Sequence, residues 1–173
     1  RRHNDRTSKF LIKNFYEKNF DKPPEELLMN AALFRYFGTA EMAEAVGWQD
    51  YETFDFEYIK ETAVDRFANK ERVFTGAYII TNQGISAPKQ DIVVDHFLRN
   101  LHFEAKAVVK RSRGRSWKET ADYMRMIKGF GGSGFMTKEI LLDTTYTPFW
   151  FHEGFDQVDG YDMTFPADWN EWT

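Results

Sequence analysis

The hydrophobic positions of the chain recur at three- and four-residue intervals along most of its length, the period of helices that bury one face. Asp5 or Thr7 can cap a first helix reaching about Phe20, with Phe10, Leu11 and Phe15 on one side. Pro23-Pro24-Glu25-Glu26 reads as a helix start, because proline fits the first turn and acids suit the positive end of the dipole. Leu27, Ala31, Phe34 and Phe37 then follow at helical spacing, and Gly38 can close the helix. A short helix from Ala40 to Val46 ends at Gly47, and Phe56, Ile59, Ala63 and Phe67 mark another over 54–68.

The second half is less regular. Phe74 to Ile80 mixes β-branched and aromatic residues, so a strand and a buried helix both fit, and we favour the helix. Asn82 to Pro88 is loop-like, and Asp91 to Leu101 reads as a helix with Ile92, Phe97 and Leu98 apolar. Ser116-Trp117-Lys118-Glu119 is a capping box opening a helix through Met126. A glycine-rich turn over 127–134 leads into a helix from about Phe135 to Leu142, and the tail from Thr145 is aromatic and acidic with little period. The pattern predicts an all-α fold, a helical bundle forming a single domain over residues 1–173. The chain starts at Arg1 rather than Met, from which we expect neighbouring segments beyond its ends.

Composition narrows the chemistry. With no cysteine, disulfides and thiolate metal sites are excluded, and the four histidines (3, 96, 102 and 152) form no ligand-spaced pair, so no metal site is expected. No cofactor can be named. No apolar run approaches the roughly 20 residues of a membrane span, and no signal-peptide core follows Arg1-Arg2-His3, so a cytoplasmic setting without a membrane partner is the default. Aromatic residues reach 17%, enough to fill a core or to line a pocket that stacks on flat ligands such as bases.

Net charge is −4, which argues against a purely electrostatic nucleic-acid binder, but the distribution is uneven. Lys106, Lys110, Arg111, Arg113, Arg115 and Lys118 crowd into one stretch, while acids gather in 50–65 and 153–171. A basic patch on an acidic body suits local grip on DNA; a solvated basic loop fits as well.

The glycine turn is the most informative segment. Gly129 and Gly134 have the separation of a phosphate-cradling P-loop, but Phe135 stands where that loop needs lysine and no strand precedes it. Ile127-Lys128-Gly129-Phe130-Gly131, set between two helices, fits a helix-hairpin-helix instead. There, glycines such as Gly129, Gly131 and Gly132 let the backbone approach a phosphate, amides of the turn and next helix bind it, and Lys128 adds charge. A plain glycine linker is the simpler alternative.

Four stretches, in order, resemble a known family: Arg1-Arg2-His3-Asn4-Asp5-Arg6-Thr7, Phe34-Arg35-Tyr36-Phe37, Phe74 to Ile80 with Tyr78, and Gly129-Phe130-Gly131 with Phe135, Met136, Ile140 and Asp143. The chain is similar to the α-glutamyl/putrescinyl-thymine pyrophosphorylases and the related helical domain of 5-hydroxymethyluracil DNA kinases. The resemblance implies a fold like that of helix-hairpin-helix DNA glycosylases and action on modified thymine in DNA, typically of bacteriophages. It also implies segments before Arg1 and after Thr173.

In the chemistry so implied, a flipped base carrying a phosphorylated or pyrophosphorylated 5-hydroxymethyl group loses that group to an amine or amino-acid donor. Cations for the leaving group would be Arg2 and Arg35, and a carboxylate taking the amine's proton would be Asp143 or Asp5. Arg35 sits among apolar neighbours, so a buried salt bridge to Asp5 or Asp143 explains it equally well; Asp5 also serves as a cap and Asp143 as a helix-terminal acid. Tyr78 is a candidate to contact the base or pack in the core, and Asn30 a weaker one to read a pyrimidine edge. Three functions remain in play: a base-hypermodifying transferase, a glycosylase excising a modified base, and a non-catalytic DNA-binding domain of a base kinase.

Overall fold

The computed structural model describes residues 5–76, 84–113 and 117–150. Among them it contains seven helices and no strand. The first, α1 (Arg6–Leu11), is capped by the Asp5 carboxylate, which accepts the Ser8 amide at 3.2 Å, and it runs on through a wide-wound stretch, Ile12–Tyr16, and a tight one, Glu17–Asn19.

The fold is organised by α2 (Pro24–Phe37). Pro24 and two acids open it, and Gly38 closes it in the left-handed region at φ 76°, where a side chain would be strained. Every residue from Glu26 to Phe37 is buried. Such a helix has no solvent face and must be covered on all sides. Its covers are α3 (Ala40–Val46), the long helix α5, α7 (Phe135–Thr144) and the final turn Pro148–Trp150. The buried polar side chains on α2 are all engaged. Glu26 accepts the Trp48 indole N–H and the Tyr51 amide, both at 2.8 Å, fastening the loop after α3. Asn30 fastens the same loop, donating to the Gln49 carbonyl at 2.8 Å and accepting its amide at 2.9 Å.

The helix α4 (Phe56–Ala68) is more exposed and buries only Ile59 and Ala63 deeply. The longest element, α5, joins Lys89–Asp91, a π-wound stretch Ile92–Leu98, and Arg99–Ser112. The sequence reading ends this helix at Leu101 and admits a loop for the basic residues beyond. Instead the helix continues two turns and more, because Leu101, Ala105, Val108 and Ser112 form a buried stripe beneath the charges. Lys110 and Arg111 then occupy its last turn, where cations complement the negative end of the dipole. Phe74, Thr75 and Gly76 form no helix; the remainder of that ambiguous run, 77–80, lies outside the described residues. The helix α6 (Trp117–Arg125) leads through the glycine bend into α7. Ser116 of the capping box is outside the described residues.

Candidate functional site

Three candidate residues far apart in sequence meet beneath α2. Arg35 directs Nε at Asp143 Oδ2 (2.5 Å) and Nη2 at Asp143 Oδ1 (3.2 Å), the paired geometry that suits guanidinium to carboxylate. Nη2 also donates to Ser8 Oγ at 2.7 Å, Ser8 Oγ donates to Asp5 at 3.2 Å, and the Tyr16 hydroxyl donates to Asp143 at 3.4 Å. A polar chain thus runs from exposed Asp5 inward to Asp143, which is 1% exposed. Burial opposes the charge on Arg35, but the Coulomb field and hydrogen bonds of Asp143 outweigh it and hold the guanidinium above its already high ordinary pKa. The arrangement can hold a fixed positive charge against a carboxylate in a dry setting. Arg2, the fourth member proposed for this group, lies outside the described residues, as does Tyr78. Asn30 is fully buried, and both ends of its amide serve the backbone of Gln49 and Glu26.

The glycine bend divides into two halves. Its first half is pressed inward: Phe130 is fully buried, and Gly129 takes φ 101° so close to Phe97 that an added Cβ would stand 2.4 Å from the ring. The Tyr36 hydroxyl donates to the Gly129 carbonyl, and Thr137 donates to the Phe130 carbonyl at 2.6 Å. A Cβ on Gly131 would meet the Arg125 carbonyl oxygen at 2.8 Å. The second half faces outward at Gly132 (φ 62°) and Ser133, which are exposed, and Arg125 Nη2 braces the Gly132 carbonyl at 3.0 Å; Lys128, ahead of the inward half, is exposed as well. Gly132 and Gly134 bring the chain to the N-terminus of α7, whose first-turn amides carry the partial positive charge of the helix.

The basic segment lies along α5 and reaches the start of the bend through two hollows that share Tyr123. Lys110, Arg111, Arg113, Ala107 and Tyr123 line a hollow of about 630 Å³. Tyr123 is also a wall of a second groove, of about 420 Å³, that reaches Met126, Ile127 and Lys128 at the bend. Lys110 and Arg111 are exposed and Arg113 half-buried; Arg115 is outside the described residues. Arg111 lies over the Tyr123 ring at 5.0 Å, and Tyr123 donates to Glu104 at 2.8 Å. That hydrogen bond holds the Tyr123 hydroxyl above its ordinary pKa, so it stays protonated and a donor at neutral pH. Lys106 points elsewhere, over the Tyr51 ring.

Several contributors escaped the sequence reading. Ser8, Tyr16, Tyr36 and Arg125 act through partners that only the packed fold supplies. Among the described residues no cluster of three or more His, Asp or Glu groups could hold a metal ion, and no helix is long and apolar enough to cross a membrane.

Comparison with known families gives one result: residues 1–157 match the family described as "5-hmdU DNA kinase, helical domain". The match covers well over half of the chain, which therefore belongs to that family. No curated protein and no solved structure matches it.

Proposed function

We propose, from this membership, that the chain grips DNA bearing a 5-hydroxymethyl-derived thymine and holds it while the modified nucleotide is turned out of the stack for chemistry. A base inside a duplex is unreachable, so an enzyme acting on it must hold the backbone and extrude the nucleotide. The observation that supports this reading is one solvent-facing strip. It runs from half-buried Arg113 through exposed Arg111 and Lys110, across Tyr123, to exposed Lys128 at the start of the glycine bend. Side-chain cations at one end, and turn amides with the α7 N-terminus at the other, are two forms of phosphate contact, the second being that of a helix-hairpin-helix.

The test is fluorescence anisotropy of the chain on a duplex containing 5-hydroxymethyluracil, across a salt series. Replacing Lys110, Arg111 and Arg113 with Ala should weaken binding at all sequences. It should also flatten the log–log salt dependence by about 0.9 per phosphate contact removed. Unchanged affinity and slope would remove the strip from the argument.

A second reading gives the chain catalysis of its own, and the convergence of Asp5, Arg35 and Asp143 in one hydrogen-bonded chain favours it. In it, Arg35 stabilises a phosphate or pyrophosphate leaving from the thymine methylene, and a carboxylate accepts a proton from an attacking amine or amino acid. Nucleoside mass spectrometry of treated DNA separates the possibilities. A transferase leaves a heavier base on an intact strand. A glycosylase leaves an alkali-labile abasic site. A binding domain of a base kinase leaves DNA unaltered by itself.

A further inference from the structure

Phe103 is 86% exposed and Met126 is 83% exposed, values that set them apart from the buried rings and thioethers of the core. Both border the groove between α5 and the start of the glycine bend, together with Asn100, Glu104, Tyr123 and Lys128. Burying such side chains is favourable and leaving them in water is not, so two on the rim of one groove mark a contact surface. Neither serves the fold. The buried stripe of α5 is Leu101, Ala105, Val108 and Ser112, which leaves position 103 on the opposite side, and Met126 follows the last turn of α6.

The charges around the groove identify what it fits. Lys110 and Arg111 stand about two turns along α5 from Phe103, roughly 11 Å, and Lys128 stands at the other end. The middle is different: Phe103 and Met126 are apolar, and the one carboxylate there, Glu104, accepts the Tyr123 hydroxyl. A polyanion is therefore attracted at the two ends and repelled at the centre, while a flat apolar group is favoured at the centre. A nucleic-acid strand has that alternation, with phosphates on the outside and base faces between them, and 11 Å corresponds to about three nucleotide steps. An acidic peptide lacks the regularly placed rings.

We infer that Phe103 and Met126 form a stacking platform for an unpaired base of the DNA strand held by the Lys110–Arg111 and Lys128 cations. This inference rests on the DNA-binding reading above and adds to it a base contact beside the start of the bend. Stacking on an aromatic side chain is sequence-tolerant, so the platform would steady a strand opened near the modified thymine rather than select the thymine itself.

The test compares two variants of the chain on a single-stranded oligothymidylate and on the 5-hydroxymethyluracil duplex, by fluorescence anisotropy over a salt series. Phe103→Ala with Met126→Ala should lower single-strand affinity by about 5-fold to 150-fold, the range for one stacked base, and leave the salt slope unchanged. A 2-aminopurine placed in the strand should be quenched by the parent chain and brighten in the variant. Lys110→Ala with Arg111→Ala should instead reduce both affinity and slope. If the apolar variant binds as the parent does while the cation variant is weakened, the platform is overturned and the DNA reading stands. If neither variant changes binding, both fall. If the parent chain self-associates in sedimentation and the apolar variant alone abolishes it, the surface is a contact between copies and the platform is overturned. Both side chains are solvent-exposed, so the variant should melt within a few degrees of the parent, which circular dichroism verifies.

Discussion

The Arg35–Asp143 cluster and the Arg111–Tyr123–Glu104 arrangement use the same kinds of side chain in opposite surroundings. In the first, guanidinium, carboxylate and phenol are enclosed between α1, α2 and α7, with Asp143 1% exposed. In the second, an exposed guanidinium meets a half-buried phenol and carboxylate at the surface of α5 and α6. Water decides what each set can do. Enclosed charges hold one another rigidly, and losing a partner leaves a charge with no solvent to receive it. Open charges interact weakly with one another, and a polyanion can recruit them at little cost to the fold.

The sharpest way to break the comparison is Asp143→Asn, which keeps the shape and removes the charge. We expect a loss of about 3–5 kcal/mol in urea unfolding, because Arg35 is left buried beside a neutral amide. Replacing both partners with apolar residues, Arg35→Met with Asp143→Leu, should recover most of that loss. If the double variant folds and the base modification of the second reading persists, the cluster is a structural brace. If modification vanishes from a folded protein, the cluster carries chemistry.

Next in size is the contrast within the glycine bend. Gly129→Ala combines an unfavourable backbone conformation with a Cβ 2.4 Å from Phe97, and should destabilise by about 2–4 kcal/mol. Gly132→Ala meets nothing within 4 Å, so only its φ of 62° is penalised, at about 1 kcal/mol. Equal losses in thermal melts would mean that the two halves of the bend are not distinct. Smaller still, the triple Ala variant of Lys110, Arg111 and Arg113 should change unfolding free energy by under about 1 kcal/mol while weakening DNA binding.

The smallest effect concerns the open ion pairs of Asp95, one to α4 and one within α5. Asp95 accepts Lys60 at 2.9 Å and Arg99 at 3.0 Å. Partial burial raises its pKa, but those two hydrogen bonds outweigh burial and leave it below the ordinary carboxylate value. A depressed folded value means that the stabilisation is present above the ordinary range and lost as pH falls through it. Asp95→Asn should therefore cost a few tenths of a kcal/mol at neutral pH, and the gap from the parent should close as pH falls below the ordinary aspartate range. A gap that persists there would show that the carboxylate's charge is not its source.

Much of the helical order was legible in the sequence because local rules set helix ends. Asp5 as cap, Pro24 in a first turn, and Gly38 and Gly47 as stops all act through atoms within a few residues. The extension of α5 to Ser112 was obscured because its buried stripe is interleaved with basic residues, and the local composition reads as loop. The exposed pair was hidden for the same reason: Phe103 falls off the apolar stripe only once the helix is seen to pass Leu101, and Met126 joins it only through the packing of α6 on α5.

The sequence by itself determined an all-helical chain, a basic segment and a glycine bend between two helices, since each depends on neighbours in the chain. Only the tertiary structure decided that Arg35 faces Asp143, 108 positions away, and that Tyr36 reaches the Gly129 carbonyl. It alone decided which half of the bend meets solvent. A buried polar group must find a partner wherever packing brings one, and that choice is made by how helices stack rather than by the order of residues along them.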